Sequence, residues 1–371
     1  MRKVLVLLVA AALTIASAQD YVFGITFDAG GKFDGSFNEG TWRGMVLAIE
    51  ELQAERGLEI DLLEFEGTPE TSAGGLRTIA GQNVELIVSP GFAQADAVAA
   101  VSNEFGDTFF VLIDAVVEAP NVRSVLFEEH EGSFLVGFIA GTLSQTGVVG
   151  FVGGMDIPLI RNFNTGYEQG VLHACPECTV ISNYVGVTPT AWNDPARAKE
   201  LATNQHAQGA DIIYAAAGAS GNGVIDFVNE TMCYTTTRTL RSTGLAEQVA
   251  QIDPSPAYAS ACGADAQPLF FIGVDSNQNP LGDIDGNPDT LNHGLTSMLK
   301  RVDVAAYDAI MDVVDGTFEP GTRVLGLAEN GVGFALDEYN EALLTDSLLA
   351  EIAMISDMIV SGQLVVEPYS D

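Results

Sequence analysis

Apolar and polar positions repeat with two different periods along this 371-residue chain. Short runs rich in Val, Ile and Phe, typical of buried strands, are separated by longer stretches with helical spacing. In the first third, the predicted strands are Tyr21–Phe27, Glu59–Phe65, Glu85–Ser89, Thr108–Ile113 and Val122–Phe127. The helices predicted between them are Gly40–Arg56, Thr71–Gln82 and Ala93–Phe105. Strands separated in this way predict right-handed βαβ units and a parallel sheet.

The same rhythm continues after residue 130 and predicts a second sheet. Its predicted strands are Val148–Val152, Thr179–Val185, Asp211–Ala215 and Leu269–Val274, with Gly294–Leu299 as a later apolar run. Its predicted helices are Glu131–Leu143, Phe163–Ala174, Pro195–Gln208 and one near Gly223–Glu230. The chain is 47% hydrophobic, enough for two cores. Two successive doubly wound lobes are the economical interpretation.

A glycine turn connects the predicted strand at 148–152 to the helix after it. Gly153 and Gly154 form this turn, and three polar residues follow near the helix start: Asp156, Arg161 and Asn162. A strand, a glycine turn and a helix in this order place polar side chains at the carboxyl edge of a sheet. Open α/β folds bind their ligands at that edge.

The strand–helix pattern breaks at about residues 231–267, and four cysteines lie within or before this segment. An even number of cysteines in an oxidising compartment favours disulfides, predicted here as Cys175–Cys178 and Cys233–Cys262. The second pair would bound a surface insertion. The CxxC spacing of the first also leaves a redox or zinc role open. A tetrahedral zinc site would need two further ligands, for which His173 is the only local candidate.

The first 18 residues have the features of a signal peptide. A basic start precedes an apolar run at Val4–Ile15, and Ala16–Ala18 provides a small-residue cleavage site. The run is too short to span a bilayer, and no later stretch approaches about 20 uncharged apolar residues. Gln19 and Asp20 follow, with no cysteine nearby for lipid attachment. We therefore expect an exported, soluble protein of the periplasm or extracellular space.

The chain is strongly acidic, with a formal net charge of −35 and only four lysines. Such a charge repels nucleic acids and anionic membrane surfaces, so neither is an expected partner. Adaptation to a salty environment is one hypothesis for this composition, and compositional drift is the other.

The loop after the first strand is the first candidate site. It contains Asp28, Ser36, Phe37 and Asn38 among glycines that permit a tight turn. Small and polar residues flank Phe37, so it either plugs the loop against the sheet or offers a flat surface for an aromatic ligand. The GxxxxGK[ST] pattern of a phosphate-binding loop is absent.

Three further candidates follow other predicted strands. Trp192, one of two tryptophans, lies in a Thr/Pro-rich loop, while Asp114 and Asp275 end strands in different lobes. Two carboxylates facing one another across a cleft would suit a vicinal diol or a purine N–H. Asp194 is predicted to be the N-cap of the helix that opens at Pro195.

Several segments resemble, in order, the basic membrane protein family, the PnrA-like solute-binding proteins of bacterial nucleoside transporters. The family patterns are TDxGxxDxSFN, AAGxxGxG, IGVDxDQ and TSMLKRVD, and the similar segments are Phe27–Asn38, Ala216–Gly223, Ile272–Gln278 and Thr296–Asp303. The chain departs from the family at three positions. Phe27 stands where the family usually has Thr, Trp192 stands where it commonly has Phe, and Asn277 stands where it usually has Asp. The resemblance covers essentially the whole mature chain.

This resemblance implies an α/β type I periplasmic binding protein fold, in which two doubly wound, Rossmann-like lobes are joined by a three-segment hinge. We expect an N-terminal lobe at 19–127 plus 299–318 and a C-terminal lobe at 128–298 plus 319–371. The chain would cross between them near residues 128, 298 and 319. Closure of the lobes around a ligand would create the form that a membrane permease recognises.

The resemblance also implies a role for each candidate residue. Phe37 and Trp192 would sandwich a purine, and Gly218 would let the backbone approach it. The base edge and nearby oxygens would be read by Asp28, Ser36, Asn38 and Asp114. Asp275 and Lys300 would hold the ribose, although Lys300 without the resemblance is assigned to the surface beside Arg301. The expected function is capture of adenosine, guanosine or inosine by a monomer, without a cofactor, for an ABC transporter permease.

Other functions are weighed against this expectation. A binding protein for a sugar or autoinducer and a sensor without a transporter are the nearest alternatives. A nucleoside hydrolase would need Asp114 or Asp275 to activate water, but the sequence has no GxSxG or HExxH motif and its four histidines are scattered. No catalytic residue and no metal site are therefore predicted. Asp283–Asp289 resembles a calcium loop but lacks the bidentate glutamate, so we interpret it as a solvated turn.

Overall fold

The structure is a computed structural model that describes residues 20–237 and 239–370. The predicted signal peptide at 1–18 lies outside the described residues. Within them, no helix combines the length and the apolar character needed to cross a membrane.

The chain first forms five parallel strands with three helices between them. In order these elements are β1 (Tyr21–Phe27), α1 (Phe37–Arg56), β2 (Ile60–Glu66), α2 (Pro69–Ala80), β3 (Leu86–Pro90), α3 (Ala95–Glu104), β4 (Phe109–Ile113) and β5 (Val122–Phe127). All eight were predicted, with ends that differ by a few residues. The largest difference is the start of α1, which begins before Gly40. The carboxylate of Asp34 accepts the backbone N–H groups of Ser36, Asn38 and Glu39, and so starts the helix early.

The chain then enters a second α/β unit. Its elements are α4 (Glu129–Leu143), β6 (Val148–Met155), α5 (Pro158–Ala174), β7 (Thr179–Gly186), α6 (Pro195–Ala207), β8 (Ile212–Ala216), α7 (Asn222–Thr231), β9 (Cys233–Tyr234), α8 (Leu245–Val249), α9 (Pro256–Ala261), β10 (Gln267–Pro268), β11 (Phe270–Asp275) and β12 (Gly294–Lys300). Helix α5 begins five residues before the predicted start, because Pro158 opens its first turn.

The last part of the chain contributes one strand to each sheet. It forms α10 (Val302–Asp315), β13 (Gly321–Leu325), β14 (Val332–Phe334) and α11 (Asp346–Val360). The first sheet has the order β13-β5-β4-β3-β1-β2, and the second has the order β14-β12-β11-β8-β6-β7. Only β14 runs antiparallel to its neighbour in these two sheets.

The third passage between the lobes differs from the expected position. Strand β13 pairs in parallel with β5, so the chain leaves the first sheet after Leu325 rather than near residue 319. The sequence did not predict β13 because it is a half-exposed edge strand without an apolar run. Edge strands have only one paired side and need less apolar surface.

Both predicted disulfides are present, Cys175–Cys178 and Cys233–Cys262. The second encloses the predicted insertion, which contains α8 and α9. Arg241 in this insertion donates to the carbonyl oxygens of Gly141 and Ser144 at the end of α4. The insertion therefore packs near the amino end of β6, at the edge of the second sheet opposite its strand carboxyl ends.

Removing the Cys233–Cys262 bridge is expected to lower the free energy of unfolding by about 2–3 kcal/mol, because it closes a long loop. The cysteines of this bridge are 29 residues apart, whereas those of Cys175–Cys178 are 3 apart. Urea denaturation of the two double Cys→Ser variants tests this difference. Equal losses in both variants would contradict the loop-closure argument.

Candidate functional site

A cavity lies between the carboxyl edges of the two sheets. Eight of the nine predicted ligand-binding residues line it: Asp28, Phe37, Asn38, Asp114, Trp192, Gly218, Asp275 and Lys300. The ninth, Ser36, is fully buried beside the cavity. The structure thus brings the nine residues together at one place, while their contacts with a ligand stay a prediction.

Asn38 helps to shape the loop between β1 and α1. Its side-chain oxygen accepts the N–H of Asp28 at 3.0 Å, and its amide nitrogen donates to Asp34 Oδ2 at 3.0 Å. Both ends of the Asn38 amide therefore hold the loop. Asp34, which also lines the cavity, accepts backbone N–H groups at the start of α1.

Asp28 directly follows β1, and its carboxylate has few hydrogen-bond partners. Its Oδ1 accepts the N–H of Ala29 at 2.7 Å. Gly91 lies against it with φ 107°, and a Cβ at that position would be 2.0 Å from Asp28 Oδ2. Burial raises the pKa of Asp28 to about 6, and the negative charges of Asp114 and Asp34 act in the same direction. A hydrogen-bond donor from a ligand would relieve this unfavourable environment.

Lys300 is buried, with 2% of its surface exposed, so the surface assignment made without the family resemblance is wrong. Its Nζ lies 2.6 Å from Asp114 Oδ1 and 3.0 Å from Glu129 Oε1. Burial by itself lowers the pKa of this ammonium group. The carboxylates of Asp114, Glu129 and Asp275 outweigh burial, and the pKa is raised above its ordinary value. Lys300 therefore stays charged.

Glu129 is a site residue that the sequence analysis missed. It begins α4, is buried, and burial raises its pKa to about 7 despite the nearby Lys300. A sequence signal existed: Glu128 and Glu129 directly follow the buried strand β5. A carboxylate in that position shares the carboxyl edge with Asp28 and Asp114.

Asp275 joins the two lobes. Its Oδ2 accepts a hydrogen bond from the Ser36 hydroxyl at 2.6 Å, and burial raises its pKa to about 6. Ser276 donates to the Ser36 carbonyl, and Gln278 donates to the Gly35 carbonyl. These three bonds link the β1–α1 loop of the first lobe to the end of β11 in the second.

Trp192 packs over glycine backbone. A Cβ on Gly154 would lie 2.4 Å from its Cζ3, and one on Gly218 would lie 3.6 Å from its Cε3. Ser220 stabilises this loop by donating to the carbonyl of Ala191. The predicted N-cap is confirmed, because the Asp194 side chain accepts the N–H of Arg197.

The apolar wall of the cavity includes a face of α5 that the sequence analysis did not select. Leu159, Ile160 and Phe163 line the cavity, and so does Phe92 from the loop after β3. The helical spacing of the three α5 residues is the signal that could have found them.

The polar residues at the start of α5 do not line the cavity, contrary to the expectation from the glycine turn. Arg161 pairs with Asp156 and donates to the Tyr369 hydroxyl at 3.2 Å, while Asn162 Oδ1 accepts the N–H of Tyr369. They hold the C-terminal segment, because the period of the helix turns them away from its apolar face.

The loop at Asp283–Asp289 is closed by its own hydrogen bonds. Asp283 Oδ1 accepts the backbone N–H groups of the three residues 285–287. Across residues 20–237 and 239–370, no cluster of three or more His, Cys, Asp or Glu side chains could hold a metal ion.

Comparison with known proteins identifies the family. A family model described as "ABC transporter substrate-binding protein PnrA-like" matches residues 22–364. The chain belongs to this PnrA-like substrate-binding family.

Three similar proteins illustrate the match. The chain is 29% identical over 357 residues to the CD4+ T-cell-stimulating antigen of Listeria monocytogenes, covering 94% of this chain and 89% of that protein. It is 26% identical over 347 residues to the ABC transporter nucleoside-binding protein BmpA of Lactococcus lactis, covering 92% and 88%. A crystal structure of an ABC transporter solute-binding protein from Aeropyrum pernix K1 superposes with a TM-score of 0.73 at 26% identity, covering 95% and 94%.

Membership of the PnrA-like family confirms the predicted type I periplasmic binding protein fold. The chain is a substrate-binding protein of an ABC transporter, which implies a ligand and a permease partner. Because the family and the L. lactis and A. pernix relatives are substrate-binding proteins rather than enzymes, the nucleoside hydrolase alternative is wrong.

Proposed function

We propose that this PnrA-like protein captures a purine nucleoside between its two lobes and delivers it to the permease of an ABC transporter. The observation that carries the proposal is that Phe37 of the first lobe and Trp192 of the second line one cavity. Two aromatic side chains in a narrow cavity suit a flat heterocycle, since every base has a face on which an aromatic ring can stack. The L. lactis relative is named a nucleoside-binding protein, which supports this ligand class.

The polar end of the same cavity suits a ribose. An ammonium group has three N–H donors, and those of Lys300 go in part to Asp114 and Glu129. Asp275, 9% exposed, uses one oxygen to accept from Ser36. One N–H donor of Lys300 and one carboxylate oxygen of Asp275 therefore remain at the cavity wall. A vicinal diol can accept a hydrogen bond from the first and donate one to the second.

The primary test is titration calorimetry of refolded protein, because refolding from denaturant removes ligand retained during purification. The titrants are adenosine, guanosine, inosine, cytidine and ribose. We expect tight binding of the purine nucleosides and much weaker binding of ribose. Absence of binding by every nucleoside would reject the proposal and favour a sugar or another small solute as ligand.

Replacing Trp192 with Ala is expected to weaken purine nucleoside binding by about 10- to 100-fold, because a stacked base contributes about 1–3 kcal/mol. The other tryptophan provides the matched control. Trp42 on α1 donates to Glu64 and does not line the cavity. Calorimetry of Trp192→Ala and Trp42→Ala should show a loss only in the first. Similar affinities in the two variants would contradict the stacking role and support a non-aromatic ligand.

AMP is expected to bind about 100-fold more weakly than adenosine. Its phosphate would enter a cavity lined by four aspartates and one lysine, and Lys300 already pairs with Asp114 and Glu129. Bringing a phosphate near unpaired carboxylates in a partly desolvated site costs several kcal/mol. Competition between AMP and adenosine in calorimetry measures the ratio, and equal affinities would contradict the charge argument.

A further inference from the structure

Asp28 is a cavity carboxylate without a countercharge. Asp114 forms an ion pair with Lys300. Asp275 accepts a hydrogen bond from Ser36, and the positive charge of Lys300 favours its ionised form. Asp34 accepts backbone N–H groups at the start of α1. Asp28 receives the N–H of Ala29. Among the described residues, the charged side chains that change the pKa of Asp28 are Asp114 and Asp34, and both are negative. The wall of the cavity therefore presents negative charge that Lys300 does not balance at this position.

Of the two aromatic residues proposed to stack on the base, Phe37 and Trp192, only Trp192 has no cation of the described residues over its ring. The rings of Phe37 and Phe163 have Lys300 Nζ at 5.2 and 5.6 Å from their centroids. Within residues 20–237 and 239–370, no lysine or arginine lies over the indole of Trp192. Indole is the strongest cation–π partner among the side chains. The cavity thus combines an unbalanced carboxylate with an aromatic face that attracts positive charge.

We infer that the cavity prefers nucleosides whose ring carries a positive charge, such as purine nucleosides methylated on a ring nitrogen, over neutral nucleosides of the same size. This inference rests on the proposed function. A ring cation spreads its charge over many atoms, so it is weakly hydrated and loses less on entering the cavity than a compact ammonium would. It then gains Coulomb attraction to Asp28 while its face stacks on Trp192.

The test compares isomers. 1-Methyladenosine and N6-methyladenosine have the same atoms, and their methyl groups sit on neighbouring nitrogens, but only the first is cationic at pH 7.0. A second pair, 7-methylguanosine and N2-methylguanosine, moves the methyl group to other edges so that a clash at one edge does not decide the result. We expect calorimetry on the refolded protein to show at least tenfold tighter binding of the cation in one or both pairs.

Asp28→Asn is the decisive variant, because it keeps the shape of the side chain and removes its charge. The ratio of cation to neutral affinity should fall to within about threefold of unity. Asp96→Asn removes the same charge from the same lobe at an exposed position on α3 and should keep the wild-type ratio.

Three outcomes would overturn the inference. Equal or weaker binding of the cation in both pairs, with neutral nucleosides still bound, would reject it and leave the proposed function intact. A wild-type ratio retained in Asp28→Asn would reject the role of this carboxylate. No binding by any nucleoside would reject the proposed function and this inference together.

Discussion

Replacing Lys300 with Met is expected to lower the free energy of unfolding by about 3–5 kcal/mol, because the substitution leaves buried carboxylates without their cation. Asp114 and Glu129 lie 2.6 and 3.0 Å from the Lys300 ammonium, and all three side chains are almost fully buried. Chemical denaturation of the ligand-free variant measures the loss. The same variant should lose nucleoside affinity, since it removes a donor from the cavity wall.

Lys199→Met is the matched control. Lys199 forms an ion pair of the same 2.6 Å length with Glu230, but its side chain is 36% exposed and that of Glu230 67% exposed. Exposed pairs contribute about 0–1 kcal/mol, so the control should be nearly neutral. Adding Glu129→Gln to Lys300→Met should recover part of the loss, because one uncompensated charge is removed. Equal costs for the Lys300 and Lys199 variants would contradict the argument.

This charged cluster lies where the chain crosses between the lobes. Asp114 directly follows β4 of the first sheet, Lys300 ends β12 of the second, and Glu129 begins α4 shortly after β5. Lys300 and Glu129 therefore lie next to two of the three passages between the lobes. The charged cluster therefore joins the two lobes close to where the chain crosses between them.

The central strands of the two sheets could be predicted from the sequence because they are buried on both faces. Runs such as Leu86–Pro90 and Phe270–Asp275 are completely buried and consist mostly of apolar residues. Strand β13 was missed for the opposite reason, since its residues are half exposed and its pairing with β5 depends on a passage between lobes. The pairing of an edge strand with its neighbour depends on tertiary structure, and the local pattern of apolar residues does not encode it.

The site was predictable where a residue's position along a strand decides its location. Asp28, Asp114 and Asp275 follow buried strands, and parallel strands end at a common edge. The burial of Lys300 followed from the family resemblance alone, because its carboxylate partners lie more than 170 residues earlier in the chain. Glu129 and Phe163 were missed because the contact of Glu129 with Lys300, and that of Phe163 with the cavity, depend on how α4 and α5 are placed against the sheet. The binding roles of all these residues stay predictions until a ligand is measured.

The ligand-free protein is expected to become more stable as the pH falls from 7.5 to about 5. Burial raises the pKa of Asp28 and Asp275 from 3.8 to about 6, and that of Glu129 from 4.5 to about 7. Below the ordinary values both the folded and the unfolded chain are protonated, and these groups contribute nothing. Above the raised values the folded protein carries desolvated charges. The free energy of unfolding therefore falls as the pH rises through about 4 to 7. Each group whose pKa is raised by about two pH units contributes about 3 kcal/mol to this loss.

Asp275→Asn separates this effect from the titration of the acidic surface. The amide oxygen can still accept the Ser36 hydroxyl, but it carries no charge, so the variant should lose less stability between pH 5 and 7.5 than the wild-type protein. Asp96→Asn should keep the wild-type slope because Asp96 is exposed. Identical slopes in all three proteins would contradict the role of the cavity carboxylates.

If a nucleoside donates hydrogen bonds to Asp28 and Asp275, it lowers their pKa, and binding near pH 6 must release protons. Calorimetry in buffers of different ionisation enthalpy measures that release, which ties the raised pKa values to the binding event itself.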